Sequence, residues 1–317
     1  MPVEQLPLFP QKGTKGQYGP PVAETGPLGK NSSLGAAIGG FHDYMIREGF
    51  TENTIKAFLG DLRILTRYLG AGRPIGQIGT KDLNDFLTYL LYHRGVPCNP
   101  KSYSRRVTTL KVFFGWLAEV DIIPHDPAAP LIHQRVSTPL PQILYDDQIE
   151  EILKITQRLR QAEKPDVRPH LLITLILQTG IKKGECMAIK LGHIDLSDPT
   201  APVLYIRYTN PKMHHKERKL SLSADFSTLL EEYIAQYHPK ENLFECTARN
   251  LEYVLHNVAQ LANLADGISF ETLRWTCAVR DYKTGMPSEK LRQKLGLSRI
   301  SWRETSDKIA KLASPAL

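Results

Sequence analysis

The sequence lacks three features that would place it in familiar classes of protein. Its four cysteines, Cys98, Cys186, Cys246 and Cys277, are scattered and form no Cys-x-x-Cys pair. That pattern argues against a zinc site or a disulfide framework and fits a reducing compartment. No apolar run approaches the roughly 20 residues that span a bilayer, and the first residues show no charged-then-apolar signal pattern. We therefore expect a cytoplasmic protein without a membrane partner.

The composition is that of a globular protein with a basic surface. The chain has 317 residues, of which 42% are hydrophobic and 23% charged, and this length allows two domains with substantial cores. Its net charge of +7 favours a polyanionic partner. Attraction to phosphates supplies most of the sequence-independent affinity for nucleic acid, so duplex DNA is the partner we consider first.

Periodicity and composition divide the chain into a tail, two domains and a linker. Residues 1–33 are rich in Pro, Gly and Lys and predict a disordered tail. Residues 34–133 carry four amphipathic helical segments, which are typical of a helical bundle. Residues 134–145 complete a proline-containing stretch and are interpreted as a linker. Residues 146–317 predict helices around two short strands, so the fold class is mainly α with a small β-sheet.

Motifs in the second domain resemble those of one enzyme family. Thr179-Gly180-Ile181-Lys182-Lys183-Gly184-Glu185 resembles Thr-Gly-Leu-Arg-x-x-Glu, and Ser269–Thr276 resembles a His-x-x-Arg box. Lys294-Leu295-Gly296-Leu297 stands where that family has Leu-Gly-His, and Ser306 stands nine residues further on, at the place of its tyrosine. Pro211–Arg218 resembles Gly-Lys-Gly-x-Lys-x-Arg, with one extra residue. By these motifs the chain resembles the tyrosine recombinases, which include phage integrases and Xer recombinases.

The resemblance implies a fold and a chemistry. It implies a helical core-binding (SAM-like) domain at 34–133 and a recombinase-like catalytic domain at 146–317, together forming a C-shaped clamp on duplex DNA. In that family two arginines, a lysine and two His/Trp side chains surround the scissile phosphate, and a tyrosine attacks it. The family uses no metal or other cofactor for this step, so none is expected.

The positions that should carry the chemistry are mostly replaced. Lys182 stands for an arginine, Glu271 and Leu297 for the two histidines, and Ser306 for the tyrosine. No histidine follows His256 and no tyrosine follows Tyr282. A serine hydroxyl is far less acidic than a phenol of pKa about 10 and needs an activating base. A carboxylate at position 271 would repel a phosphodiester. The sequence therefore predicts a degenerate catalytic domain.

Several basic residues remain that could face DNA. Arg274 keeps its register, and it either grips a phosphate or is an ordinary helix arginine. Lys212 is either the general acid for the leaving oxygen or part of a basic turn on the DNA backbone. Trp275 either packs in the core or donates its indole N–H to a phosphate. The predicted DNA contacts are Lys101, Arg105, Arg106, Lys212, Lys216, Arg218 and Arg274.

Three functions remain open at this point. The leading hypothesis is a DNA-binding, catalytically inactive relative that associates with the nucleoid as a site-binding factor, an architectural factor or a non-catalytic subunit. Its partners would be double-stranded DNA and either an active tyrosine recombinase or further copies of itself. The alternatives are an active recombinase with a non-standard nucleophile and a protein-interaction module that has lost DNA binding. The segment Asp307–Leu317 either docks on a neighbouring protomer or covers its own domain.

Overall fold

The chain folds as two compact units, Met1–Thr138 and Pro139–Leu317. The computed structural model describes residues 28–133 and 139–314. Most of the predicted tail and residues 134–138 of the predicted linker lie outside the described residues. Residues 28–33, the described end of the predicted tail, are hydrogen-bonded to the bundle. The Lys30 carbonyl accepts a hydrogen bond from Gly76 N at 2.8 Å, and the Ser32 carbonyl accepts one from Ile75 N at 3.0 Å.

Residues 28–133 contain four α-helices, which confirms the predicted helical segments. They are α1 (Leu34–Arg47), α2 (Glu52–Leu69), α3 (Thr80–Tyr92) and α4 (Pro100–Glu119). Side chains cap three of the helix starts, as Ser33, Thr51 and Asn99 each accept a hydrogen bond from a backbone N–H in the first turn. The apolar face of every helix points into one core rich in aromatic rings.

A buried carboxylate joins α2 to α4 within this bundle. Asp61 is 5% exposed and accepts hydrogen bonds from Arg105 and, at 3.1 Å, from the Thr109 hydroxyl. Burial raises the pKa of Asp61, although the neighbouring guanidinium groups act in the opposite direction. Arg105 and Arg106 of α4 both lie against the Asp61 carboxylate inside the bundle.

Residues 139–314 contain eight α-helices and a three-stranded antiparallel sheet. The helices are α5 (Asp146–Arg160), α6 (Arg168–Thr179), α7 (Lys183–Met187), α8 (Asp225–Tyr237), α9 (Ala248–Leu261), α10 (Phe270–Lys283), α11 (Ser288–Lys294) and α12 (Arg299–Ala313). The strands are β1 (Ile194–Asp195), β2 (Val203–Ile206) and β3 (Arg218–Ser221). The sheet order is β1-β2-β3, with Leu204 opposite Leu220. The two predicted strands and the mainly helical class are confirmed, and β1 is too short for its period to show in the sequence.

Two apolar clusters hold this unit together. The larger one surrounds α6, which is buried on almost every side. The smaller one joins α10, α11 and α12 through buried residues that include Val279, Leu291 and Ile309. Ile143 also belongs to it, and Leu144 belongs to the larger cluster. These two residues, which were assigned to the linker, are thus core residues of the second unit.

Helix α12 packs on its own unit. Ile309 is fully buried in the smaller cluster, and Leu312 packs beside it. The described part of the C-terminal segment, up to Ser314, therefore covers its own domain, as one of the two sequence interpretations proposed. Within the described ranges, none of the helices has the length and hydropathy that are needed to span a bilayer.

Truncating Ile309 tests how strongly α12 is held. Ile309→Ala removes buried apolar volume and should lower the free energy of unfolding by about 3 kcal/mol. Ile300→Ala is the matched control on the same helix, because Ile300 is 70% exposed and should change the value by less than about 0.5 kcal/mol. Urea titration followed by tryptophan fluorescence measures both. Equal effects of the two substitutions would contradict the packing of α12.

Candidate functional site

The site predicted from the motifs is organised around a buried ion pair. Glu185 of α7 faces Arg218 of β3, with Nη2 2.8 Å from Oε2 and Nη1 3.1 Å from Oε1. The Tyr208 hydroxyl donates to Oε1 at 2.5 Å and the Lys182 backbone N–H donates to Oε2 at 2.9 Å. Burial by itself would raise the pKa of Glu185, but the hydrogen bonds and charge of Arg218 outweigh it and lower the pKa to about 2. The carboxylate is therefore ionised at neutral pH.

Three basic side chains bind three consecutive carbonyls at the end of α11. Arg218 Nε donates to the Lys294 carbonyl at 2.7 Å, and Arg274 Nη2 donates to the Leu295 carbonyl at 2.7 Å. Lys182 Nζ donates to the Gly296 carbonyl at 3.1 Å. The C-terminal carbonyls of a helix have no partner within the helix and carry partial negative charge. The three cations thus bind the C-terminal end of a helix.

Arg274 is buried and uses its guanidinium inside the fold. The residue is 9% exposed, and its Nη1 donates to the Gly180 carbonyl at the end of α6. Burial lowers its pKa, and the charge of Glu185 opposes that shift. Arg274 was predicted to contact DNA. Two of its N–H groups are bound to backbone carbonyls of its own unit, so the fold holds the guanidinium in place.

Two glycines allow these close approaches. Gly180 has φ +61°, and a Cβ there would lie 2.9 Å from Leu295 Cδ2. Gly296 has φ +59°, and a Cβ there would lie 2.6 Å from Arg218 Nη1. Both positions require a left-handed backbone and have no room for a side chain. The Thr-Gly and Leu-Gly pairs read from the sequence are thus explained by the fold alone.

Lys182 is the most accessible of the three cations. Its side chain is 38% exposed. Burial lowers its pKa to about 8, helped by the charges of Arg274, Lys216 and Arg218 and opposed by Glu185. An ammonium offers no planar fork to a phosphate. Lys182 therefore offers a phosphate a single point charge where an arginine would offer two parallel donors.

An open pocket of about 340 Å³ lies beside Lys182 and Arg274. Its lining is Lys182, Lys183, Glu252, Ile268, Ser269, Phe270, Glu271 and Arg274. Glu271 is exposed, and its Oε1 accepts a hydrogen bond from Trp275 Nε1 at 2.7 Å. The pocket therefore contains a carboxylate at the position where the recombinase motif has a histidine.

The contacts of Trp275 decide between its two sequence interpretations. Its indole N–H is already used by Glu271, and its ring packs against the smaller apolar cluster. It is a packing residue, and it also orients Glu271. The two residues are four apart on α10, so this pair could have been read from helical spacing.

Ser306 and Leu297 are placed without catalytic partners. The Ser306 hydroxyl donates to the Arg303 carbonyl of its own helix at 2.9 Å. Among the residues that the structure describes, no histidine or carboxylate hydrogen-bonds to it. Leu297 is half-buried and packs against the smaller cluster. Neither side chain has what acid–base chemistry needs.

Of the two lysines in the turn between β2 and β3, Lys216 lies nearer the motif residues. The turn is a 3-10 helix, Pro211–Lys216. Lys216 is half-buried, and its charge contributes to the lowered pKa of Lys182. Lys212, which the sequence suggested as a general acid, is exposed. The turn is one residue longer than the family motif, and it is the charge of Lys216 that acts on Lys182. The role of Lys212 as a general acid stays a prediction.

Arg218 and Arg106 are buried, although both were predicted to contact DNA. The side chain of Arg218 is 8% exposed and is bound to Glu185. Arg106 is 8% exposed and lies inside the helical bundle beside Asp61. The burial of Arg106 could have been predicted from helical periodicity, because Arg106 falls between Tyr103 and Leu110 on the buried face of α4.

Lys101 and Arg105 differ in how accessible their charged groups are to a DNA phosphate. Lys101 is exposed and forms no ion pair with any residue of the described ranges. Arg105 is 39% exposed, but its Nη1 is bound to Asp61 and donates to the Ala57 carbonyl at 3.1 Å. Of the predicted contacts, the exposed ones are therefore Lys101 and Lys212, with Lys216 and Arg105 partly accessible.

Family comparisons agree with the motifs and the fold. Residues 142–304, more than half of the chain, match the family model described as Phage integrase family. Residues 38–123 match the one described as Phage integrase, N-terminal SAM-like domain. The chain belongs to the phage integrase family. This confirms the resemblance to tyrosine recombinases that the motifs indicated.

Individual relatives extend over most of the chain. Tyrosine recombinase XerD of Listeria innocua serovar 6a is 23% identical over 285 residues, which cover 86% of this chain and 93% of the relative. A lambda integrase dimer bound to a COC' core site has the same fold, with a TM-score of 0.69, 15% identity and coverage of 90% of this chain and 80% of that one. XerH bound to palindromic difH substrate gives a TM-score of 0.67 and 17% identity, and covers 88% and 82%.

Removing the carboxylate of Glu185 tests the ion pair. Glu185→Gln leaves Arg218 buried without a counter-charge and should cost about 3 kcal/mol of unfolding free energy at neutral pH. The pKa of Glu185 is lowered from 4.5 to about 2 in the folded state, so its stabilisation is present above pH 4.5 and is lost as the pH falls towards 2. The stability difference between wild type and variant should shrink over that window in urea titrations.

The control is a surface ion pair. Lys183 and Glu252 lie 2.7 Å apart, but both side chains are 48% exposed. Glu252→Gln should therefore change stability by less than about 1 kcal/mol. A Glu185→Gln difference that stays constant between pH 5 and the lowest pH at which both proteins fold would show that ionisation of Glu185 does not stabilise the fold.

Proposed function

We propose that this member of the phage integrase family binds duplex DNA without cleaving it. It acts as a site-binding or architectural factor, or as a non-catalytic subunit in recombination. One observation carries the proposal. The basic side chains at the motif positions donate to carbonyls of the protein itself, and the serine at the nucleophile position donates to its own helix.

Loss of the nucleophile is the first supporting argument. Covalent catalysis on a phosphodiester needs a hydroxyl that gives up its proton and later leaves again. A phenol of pKa about 10 can lose its proton and can later act as a leaving group, whereas an alkyl hydroxyl needs a base beside it. Ser306 has the Arg303 carbonyl as its partner, and a carbonyl oxygen does not accept the proton outright.

Weak stabilisation of the transition state is the second argument. Phosphoryl transfer depends on cations placed at the developing negative charge. Arg218 donates from all three of its nitrogens, and Arg274 from both Nη atoms, to groups of the protein itself. Lys182 offers a single charge with a lowered pKa. Glu271 adds a negative charge to the same pocket. The pocket is therefore poorly suited to a reacting phosphate.

Binding of DNA is supported separately from cleavage. The net charge is +7, and Lys101 and Lys212 are exposed in the first and second unit respectively. Two proteins of the same fold, lambda integrase and XerH, have solved structures on DNA. Contacts of lysines with phosphates give affinity without sequence information. We assign to Lys101, Lys212 and Lys216 the role of contacting the DNA backbone.

The partners follow from the same comparison. Lambda integrase has been solved as a dimer on a core site and as a tetramer on a Holliday junction. We propose that this chain also occupies DNA beside another subunit, which is either a second copy or an active tyrosine recombinase. A non-cleaving subunit would then contribute binding and assembly, while a catalytic partner cuts the strands.

Retention of genomic fragments at several salt concentrations tests the binding half of the proposal. We expect a few discrete sites whose retention weakens steeply with salt. Lys101→Glu combined with Lys212→Glu should weaken binding and lower the salt slope by about two, because each lysine releases about one counterion. Lys240→Glu, an exposed lysine outside the predicted contacts, made as a double variant with Lys164→Glu, is the charge-matched control.

Whether the protein cleaves DNA is tested on the fragments that it retains. A labelled fragment carrying a nick close to the site would trap a covalent protein–DNA adduct, which survives denaturing electrophoresis. We expect no adduct, and unchanged binding by Ser306→Ala. An adduct that disappears in Ser306→Ala would instead identify an active recombinase with an unusual nucleophile. Absence of any retention at low salt would leave a protein-interaction module as the function.

A further inference from the structure

Cys98 lies directly against a buried arginine of the helical bundle. It is half-buried and precedes Asn99, the residue that caps α4. Its Sγ is 2.6 Å from Nη1 of Arg106, a residue that is 8% exposed. The chain thus places a positive charge, largely shielded from water, in contact with a partly accessible sulfur atom.

The guanidinium of Arg106 is incompletely satisfied by its neighbours. Its Nε makes no hydrogen bond, and the nearest carboxylate oxygen, Oδ1 of Asp61, is 3.4 Å away. Asp61 also accepts hydrogen bonds from Arg105 and Thr109. A thiol sulfur is only a weak acceptor. Buried guanidinium groups are normally hydrogen-bonded to oxygen atoms, whereas Nη1 of Arg106 has the Cys98 sulfur as its acceptor.

We propose that Cys98 is a peroxide-reactive thiol whose oxidised side chain is held by the guanidinium of Arg106. In the reaction the sulfur attacks one oxygen of a hydroperoxide, so that the S–O bond forms and the O–O bond breaks. The leaving hydroxide takes up the thiol proton as water. Sulfur is oxidised to sulfenic acid, and the peroxide oxygen is reduced. A second equivalent of peroxide gives a sulfinate, whose two oxygens match the donors of the guanidinium.

The other three cysteines provide the comparison. Cys186 and Cys277 are buried, and burial raises the pKa of both thiols, that of Cys277 to about 12. Cys246 is half-buried, like Cys98, and burial raises its pKa in spite of the charge of Arg168. A thiolate is the form that reacts with peroxide. Cys246 is therefore the matched control in exposure, without a guanidinium hydrogen-bonded to its sulfur in the described structure.

Labelling with hydrogen peroxide and dimedone tests the proposal on the full chain. Dimedone traps sulfenic acid, and mass spectrometry of the peptides gives a rate for each cysteine. We expect Cys98 to be labelled several-fold faster than Cys246 in the folded protein and at a similar rate in urea. Arg106→Leu should remove the excess, while Arg106→Lys, which keeps a positive charge, should restore part of it. Lys111→Leu, on the same helix but with its ammonium bound to the Ala129 carbonyl, should keep the excess.

Circular dichroism shows whether each variant is folded. Equal labelling of Cys98 and Cys246 in the folded wild-type protein would overturn the proposal, whatever the variants do. An excess at Cys98 that persists unchanged in folded Arg106→Leu would also overturn it, because access to solvent would then explain the rate. If Arg106→Leu fails to fold, the comparison of the wild-type protein with and without urea decides the matter.

Discussion

The second unit depends on the contact between three cations and the end of one short helix. Lys182, Arg218 and Arg274 come from segments far apart in sequence, and they donate to the carbonyls of residues 294, 295 and 296. These carbonyls carry the partial negative charge of a helix C-terminus. Through them α7, β3, α10 and α11 are joined at one point, and the Glu185 carboxylate balances part of the positive charge. Internal oxygens thus bind all three cations.

Burial explains which motif positions are kept and which are replaced. Gly180, Glu185, Arg218 and Arg274 are buried or enclosed by neighbouring groups, and all four match the recombinase motifs. The replaced positions, Lys182, Glu271, Leu297 and Ser306, are exposed or half-buried. Loss of a buried charged partner costs several kcal/mol, whereas changes at the surface are usually small. Selection for folding alone is therefore sufficient to preserve the first group, and the presence of its arginines is not evidence of catalysis.

The sequence predicted the helices of the first unit well, because apolar periodicity and capping residues such as Thr51 and Asn99 are local signals. It also predicted β2 and β3. It did not predict where the arginines point. Helical periodicity could have placed Arg106 on the buried face of α4. The burial of Arg218 and Arg274 depends on Glu185 and on backbone carbonyls of distant segments, which no local pattern indicates. For the same reason Ile143 and Leu144 were assigned to a linker: their burial depends on packing with α10, where the Thr276 hydroxyl accepts a hydrogen bond from Leu144 N.

We propose that the retained arginines serve the fold and not a bound phosphate. Arg274→Leu tests it most directly when the free energy of unfolding and the affinity for a retained duplex are measured on the same preparation. The account predicts a loss of stability of about 3 kcal/mol, because the carbonyls of Gly180 and Leu295 lose their donors, with duplex affinity unchanged at a temperature where the variant is folded. A large loss of affinity with little loss of stability would contradict it.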